Sequence, residues 1–392
     1  MSIDYTKAGL WFRLGKAARY VRLYGLRTTI VKIRGQYHMR AVNRFEGSRW
    51  ENDACRTPEA PRRNVAIIGC GNFAFTTIAY YLKQQNPVFL RAAYDIERRR
   101  ALSLCKIYGG AYAVADWRDI LADQQVRIVF IASNHASHAD YAEACLRVGK
   151  HVHIEKPHVV SQRQLSRLIG AMRQNPQSKV FLGFNRPRSP LFKQLQDSLS
   201  RESGPLMINW FISGHYIPDS HWYFDEKEGG RVLGNLCHWT DLTLHLVTMG
   251  KAFPCTIVPA TPRGTKSDSV VSVIFADQSC ASITFSAKGY AFEGVREQLN
   301  IQKGNLLANL ADFQTLTLDV VERKHKMRLR HRDHGHKGNI LHSFDGVRDI
   351  NTPGEDVSYV AATAKFFLAI RQAIDSGETV IVTSEDIFGA TG

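Results

Sequence analysis

Seven cysteines are present, but no two are spaced C-x-x-C. They stand singly at 55, 70, 105, 145, 237, 255 and 280. That scatter excludes the usual spacings of a zinc site or a disulfide framework and fits a reducing cytoplasm. No stretch approaches the roughly 18 consecutive apolar residues of a membrane span. A secretory apolar core is missing too, because Arg13, Lys16, Arg19 and Arg22 interrupt every candidate. No internal repeat or long low-complexity tract occurs, which excludes solenoid and array architectures.

What is present is an ordinary globular composition, with 44% hydrophobic and 22% charged residues over 392 positions. That length predicts two domains and an appendage. The formal net charge is +15, which favours anionic partners such as phosphorylated or uronic substrates, anionic lipid or nucleic acid. Residues 1–63 carry fourteen Lys/Arg against five Asp/Glu, a net +9, so the remainder is only mildly basic. Within that segment, Trp11, Leu14, Ala18 and Val21 recur at helical spacing, predicting a basic amphipathic helix over 8–24. The Pro-containing stretch 55–63 reads as a linker.

Regular α/β alternation begins at residue 64. The runs NVAIIG, PVFLRAAYD, VRIVFIAS, HVHIE and KVFLGF read as strands, and helical patterns separate them. Strands alternating with helices of about a dozen residues predict a parallel, doubly wound Rossmann sheet over 64–185. From 186 to 392 the pattern changes. LMINWFIS, SVVSVIFA, CASITFSA and TLTLDVV are β-rich with few helices between them, predicting an α+β domain with an open antiparallel sheet. A helix over about 235–249 interrupts it, and another closes it over about 354–376.

The first strand runs straight into Gly69-Cys70-Gly71-Asn72-Phe73-Ala74, a G-x-G-x-x-A turn opening a helix. Gly69 permits a tight turn, Gly71 lets backbone approach a pyrophosphate, and Ala74 permits close helix–strand packing. Asp95 ends the second strand, 24 residues after Gly71, near the spacing of about 20 expected for the acid that binds a ribose diol. A carboxylate there favours NAD, while Arg98 and Arg99 leave NADP as the alternative. Ser133, Asn134 and His138 follow the strand VRIVFIAS and fall at the cofactor edge. For His138 the competing reading is a helix N-terminal residue bonded to backbone.

Lys156 follows the strand HVHIE, where the ligand of a doubly wound sheet binds beyond the strand carboxyl ends. A lysine there can exchange a proton with a substrate hydroxyl; the competing reading is a solvated surface lysine. Glu155-Lys156-Pro157, with GCGNFA before it and GFNRPRSP after it, resembles the Gfo/Idh/MocA oxidoreductases over about residues 64–390. The segment Gly229-Gly230-Arg231 through Cys237-His238-Trp239-Thr240-Asp241 resembles a branch found among bacterial surface-polysaccharide enzymes.

The resemblance implies NAD(P)-dependent hydride transfer with a sugar or nucleotide sugar. It implies Lys156 as catalytic acid/base beside the cofactor with Glu155, a cis peptide before Pro157, and His238 assisting proton transfer. Many members place Asp where Gly234 stands here, and Asn235 occupies a position where the nearer branch often has Glu. An amide cannot take a proton, so Asn235 is expected to orient a hydroxyl, and Asp241 to orient the His238 imidazole. The departure keeps open a rival reading, a non-catalytic dinucleotide- or sugar-sensing protein on the same fold.

Three more residues are substrate candidates. Arg186, just past the last parallel strand, could fork onto a carboxylate or phosphate, and Trp222 and Tyr223 could stack on a sugar. His325, His331, His334 and His336 are irregularly spaced among arginines, so no metal site is expected. Three partners suit the N-terminal basic helix: a neighbouring subunit, an anionic membrane surface at which the cytoplasmic protein would sit peripherally, or nucleic acid. No nucleic-acid module is recognisable, which argues against the last. An open sheet face that needs covering predicts a homo-oligomer.

Overall fold

Val65, Ala66, Ile67 and Ile68 are all buried, as a strand covered on both faces requires. They form β1 of a computed structural model that describes residues 9–40, 63–262, 264–289, 294–349 and 351–388. The chain forms two compact units. The nucleotide unit comprises residues 27–183 and 337–357; the sheet unit comprises 1–26, 184–336 and 358–392.

In the nucleotide unit, β1 (Val65–Ile68), β2 (Leu90–Tyr94), β3 (Tyr112–Ala113), β4 (Ile128–Ile131), β5 (His151–Ile154) and β6 (Val180–Leu182) pair in parallel. Their order is β3-β2-β1-β4-β5-β6. Strand order therefore reverses between β1 and β4, the switch point beyond which doubly wound sheets bind ligands. Helices include Arg98–Tyr108, His138–Arg147 and Gln162–Gln174. The last starts where the Ser161 hydroxyl accepts from the Gln164 N–H, the usual N-cap bond.

The sequence boundary at 185 needs correction. Residues 337–357 return to the nucleotide unit. Ile340 and Phe344 enter its core, Ser343 meets His153 at 2.8 Å, and the Lys179 ammonium donates to the carbonyls of Gly346, Asp349 and Thr352. Periodicity cannot reveal such a return, because it is decided by packing between segments far apart in sequence.

The N-terminal extension also divides. Helix α1 (Leu10–Tyr24) covers the expected amphipathic span and belongs to the sheet unit. There, His331 Nδ1 lies 3.1 Å from the Arg22 carbonyl, and Arg332 N–H donates to Leu23. Trp11 at the other end is 85% exposed. Helix α2 (Leu26–His38) was not anticipated, and from Arg27 it belongs to the nucleotide unit. The expected linker lies outside the described residues except for Arg63.

The sheet unit holds β7 (Met207–Ser213), β8 (Cys255–Pro259), β9 (Asp268–Ile274), β10 (Cys280–Ser286), β11 (Arg296–Lys303), β12 (Leu306–Ala311), β13 (Thr315–Val320), β14 (Arg323–Arg328) and β15 (Val380–Val382). Their order is β14-β13-β12-β11-β7-β10-β9-β8-β15. Only β7 and β10 pair in parallel; the other pairs are antiparallel. Burial alternates strictly along β7 and β9, so one face is core. Ile208, Trp210, Ile283, Phe285 and Leu299 are buried on it, as are Trp239 of helix Cys237–Val247 and Phe366 of helix Val357–Ser376. Met207, Phe211, Ile274 and Leu307 are exposed on the other. The arginine- and histidine-rich tract begins as the exposed edge strand β14, and no group that could hold a metal occurs among the described residues.

Candidate active site

Gly69 leaves β1 at φ +86°, which favours glycine, and a Cβ there would stand 2.4 Å from Ser133 N and 2.5 Å from the Ala132 carbonyl oxygen. Glycine is thus required twice over, by torsion and by the approach of β4. Gly71 differs: a Cβ there meets nothing within 4 Å. The space a side chain would take is open, as a backbone cradle for a pyrophosphate requires. The Gly71 carbonyl accepts from Phe75 N–H at 3.0 Å, starting the helix. Asn72 and Phe73 occupy its first, half-buried turn, and Ala74 is buried. The first N–H groups of that helix carry a positive partial charge that suits an anion. Ala74–Ile78 widens into π-type turns.

Asp95 ties the end of β2 to this turn. Its Oδ2 accepts from Cys70 N–H and its Oδ1 from Glu97 N–H, both at 2.8 Å. Each carboxylate oxygen retains acceptor capacity for a ribose hydroxyl. Arg100 stands 3.9 Å away. Together the open Gly71 cradle, the helix terminus and this acid fit a dinucleotide.

The loops after β4 and β5 are joined by His138. Its Nδ1 lies 2.8 Å from the Pro157 carbonyl and its Nε2 3.1 Å from that of Ser133. Burial lowers its pKa and outweighs the pull of those carbonyls and of Glu155. Both ring nitrogens face backbone, which corrects the expectation of a cofactor contact: His138 pins the two loops together. Ser137 Oγ bonds Ser133 Oγ at 2.8 Å and Asn134 Oδ1 at 2.6 Å, fixing the turn they share. Lys156 is half-buried, and its peptide to Pro157 is cis. Glu155 is buried, 3.3 Å from His153 Nε2. A Cβ on Gly183 would lie 2.7 Å from its Oε2. Glu155 therefore wedges between the ends of β5 and β6.

In the sheet unit the second glycine-led motif is built from side chains. Gly229 and Gly230 both have positive φ. The buried Arg231 donates to the His215 carbonyl at 2.6 Å and to Asn235 Oδ1 at 3.3 Å. That contact turns the Asn235 oxygen toward Arg231. Val232–Leu236 forms a second π-type segment, and such widened turns recur at functional sites. His238 follows it, half-buried, its ring 6.3 Å from Phe184 in an edge-on arrangement.

Two expectations fail here. Asp241 does not orient His238. It is fully buried, accepts from Tyr359 Oη at 2.6 Å and Thr363 Oγ1 at 3.2 Å, and has His245 Nε2 at 3.7 Å. One turn ahead and the C-terminal helix won over three residues back, because Asp241 lies on the face packed against that helix. Burial raises its pKa to about 7, the two hydroxyl donors pulling the other way. Arg186 does not offer a fork to substrate either. It is buried and already bidentate on Glu297, at 2.7 and 2.8 Å, with its guanidinium 5.0 Å from the Trp239 ring centroid. Glu297 also accepts from Trp239 Nε1 at 2.8 Å and lies 3.3 Å from His334 Nε2. Burial alone would raise its pKa, but Arg186 and His334 hold it far below the ordinary range. Trp222 and Tyr223 pack edge-on against each other, with Trp222 44% exposed.

Sequence reasoning missed Glu297 and α2. A charged residue on the inward-facing, otherwise apolar positions of REQLNIQK was the available signal for Glu297. Gly35 in the middle of α2 was the signal there.

The sequence model described as "Oxidoreductase family, NAD-binding Rossmann fold" matches residues 63–184. Residues 63–184 thus match the NAD-binding Rossmann region of the Gfo/Idh/MocA oxidoreductases. Inositol 2-dehydrogenase of Salmonella typhimurium is 31% identical over 148 residues, covering 37% of this chain and 44% of that protein. Myo-inositol 2-dehydrogenase of Thermotoga maritima is 27% identical over 135 residues, covering 34% and 40%. The chain thus spans less than half the length of these curated relatives. Among solved structures, GenD2 from gentamicin A biosynthesis in complex with NAD has a TM-score of 0.69 at 19% identity, covering 82% of this chain and 97% of that one. Levoglucosan dehydrogenase with NADH and levoglucosan has a TM-score of 0.67 at 17% identity, covering 81% and 99%. These likenesses show a shared fold over about four-fifths of the chain.

Proposed function

We propose that the protein is an NAD-dependent dehydrogenase or reductase acting on a CH–OH group of a polyol, sugar or nucleotide sugar. One observation carries this reading. The open glycine turn after β1, Asp95 after β2 and Lys156 after β5 all stand at the carboxyl ends of strands in one sheet whose order reverses beside β1. When bound, the nicotinamide supplies the acceptor or donor of hydride. Lys156, as the neutral amine, takes the hydroxyl proton during oxidation and returns it during reduction. Its neighbour Glu155 and the His138 brace keep its backbone in place. His238 is the second proton-handling candidate, with Asn235 as a hydrogen-bond donor to a hydroxyl. The relatives named inositol dehydrogenases support a cyclic polyol or sugar as the substrate class. Net positive charge and the G-G-R…C-H-W-T-D motif support an anionic sugar of surface-polysaccharide synthesis. The carboxylate of Asp95 favours NAD over NADP by repelling a 2′-phosphate. Exposed apolar side chains on the outer sheet face support self-association, and the exposed Trp11 among arginines supports peripheral contact with anionic lipid.

The test is a Lys156→Ala variant assayed with NAD and a panel of polyols and sugars, alongside NADH binding by fluorescence. Turnover should fall about 10³-fold, within the range of lost acid–base catalysis, while NADH affinity stays within about twofold, since phosphate and ribose contacts persist. A variant as active as wild type would refute the role of Lys156. Absence of NADH binding by wild type would refute the whole reading.

A further inference from the structure

We propose that helix α2, N-terminal to the family's nucleotide fold, is a working part of the dinucleotide site, with His38 as the residue that positions the pyrophosphate turn. The inference rests on the nucleotide reading above and adds a segment that no motif of that reading contains.

Three contacts converge. His38 Nε2 lies 2.7 Å from the carbonyl of Cys70, the residue between Gly69 and Gly71. Its Nδ1 lies 2.9 Å from the Ser103 hydroxyl on helix Arg98–Tyr108, the helix that follows Asp95. Burial lowers the His38 pKa, outweighing the Cys70 carbonyl. The neutral ring is therefore fully used: Nε2–H donates to Cys70 and Nδ1 accepts from Ser103. Cys70 N–H is meanwhile held by Asp95. Both peptide groups of Cys70 are thus fixed from outside the turn, one by the ribose acid and the other by α2. The His38 ring also stacks on Phe75, 4.2 Å between centroids.

Higher on α2, Gly35 lies so close that a Cβ would stand 2.3 Å from Thr76 Cγ2 and 2.5 Å from Asn72 Oδ1. A mid-helix glycine costs helix stability, and here close packing against the turn requires it. One turn earlier, Lys32 Nζ donates to Thr76 Oγ1 at 3.0 Å, and Thr76 in turn donates to the Asn72 carbonyl at 2.8 Å. Desolvation lowers the Lys32 pKa to about 8. Its bonded partner is a neutral hydroxyl, and among the described residues no carboxylate pairs with this cation beside the helix terminus. It adds to the field that attracts a diphosphate.

A surface helix that merely covered apolar residues would not bond the central carbonyl of the glycine turn. Preorganising that turn lowers the ordering cost of binding. Four proteins decide the matter: wild type, His38→Ala, His38→Gln and Lys32→Met. The readouts are NADH binding by fluorescence and amide exchange of residues 69–76 without ligand. In His38→Ala, NADH affinity should fall about tenfold, as for one lost buried hydrogen bond, with faster exchange confined to the turn. His38→Gln keeps an N–H donor and should recover part of both. Lys32→Met should weaken NADH but leave adenosine, which lacks phosphate, unchanged. If wild type binds NADH and His38→Ala binds it equally with unchanged exchange, the role of α2 is refuted and the nucleotide reading stands. If wild type binds no NADH, both fall together. Uniformly faster exchange with loss of the folded state in His38→Ala leaves the decision to Lys32→Met, whose unaltered NADH affinity would refute the proposal.

Discussion

Two glycine-led motifs, one in each unit, can be set side by side. Both enter a helix through π-type turns, at Ala74–Ile78 and at Val232–Leu236. The first works through backbone: a carbonyl, a row of N–H groups and an empty Cβ position. The second works through side chains, and most of those are already engaged by neighbours. Arg231 is spent on His215 and Asn235, and Asp241 on Tyr359. Roles carried by backbone follow from local sequence. Roles carried by charged side chains depend on which partner tertiary packing brings, because a buried charge takes the nearest compensating group.

The sharpest break of that contrast is Glu297→Gln. It strands the buried guanidinium of Arg186, and loss of one partner of such a pair costs about 3–5 kcal/mol, measurable by denaturant unfolding. The pH dependence has a definite sign. Glu297 has a folded pKa held below its ordinary 4.5, so its contribution is present above about pH 4.5 and fades as pH falls below it. Wild type should lose stability on acidification there more steeply than the variant; equal slopes would contradict the assignment.

Asp95→Asn probes the backbone motif. Asparagine puts an NH2 where one of the two accepting oxygens stood, so the N–H of Cys70 or of Glu97 loses its partner. NADH affinity should fall about tenfold, the equivalent of that bond, and discrimination against NADPH should narrow. Unchanged affinity for both cofactors would remove Asp95 from the ribose role.

Smallest is Asp241→Asn. The asparagine oxygen can still accept from Tyr359, so stability at low pH should change by less than about 1 kcal/mol. The Asp241 pKa is raised from 3.8 to about 7. The folded state therefore holds the proton more tightly, and wild type should lose stability as pH rises from about 4 to 7. The variant should lack that decline. A His238-orienting role would instead appear as loss of turnover with the pH profile unmoved.

Several features were readable without coordinates because they are local. The G-x-G-x-x-A turn, the acid ending the next strand, the alternation of β7 and β9 and the amphipathic α1 each leave a short-range pattern. The place of Lys156 just beyond β5 was local too, while its proton-transfer role was an expectation from the Glu155-Lys156-Pro157 resemblance. Glu297, His38 and the returning segment 337–357 were not, since their partners lie far away in the chain: 111 positions for Arg186–Glu297, 190 for His153–Ser343. No periodicity spans such separations.

The order of residues determined by itself that a parallel sheet with a phosphate-binding turn forms near the N-terminus and that a β-rich unit follows, because side-chain period and backbone torsion are local properties. Only the folded chain decided which charges were left to meet a ligand. Arg186 and Asp241 were consumed by Glu297 and Tyr359, and α2 was laid across the glycine turn. The reason is that desolvation makes each buried polar group seek whatever partner the packing supplies.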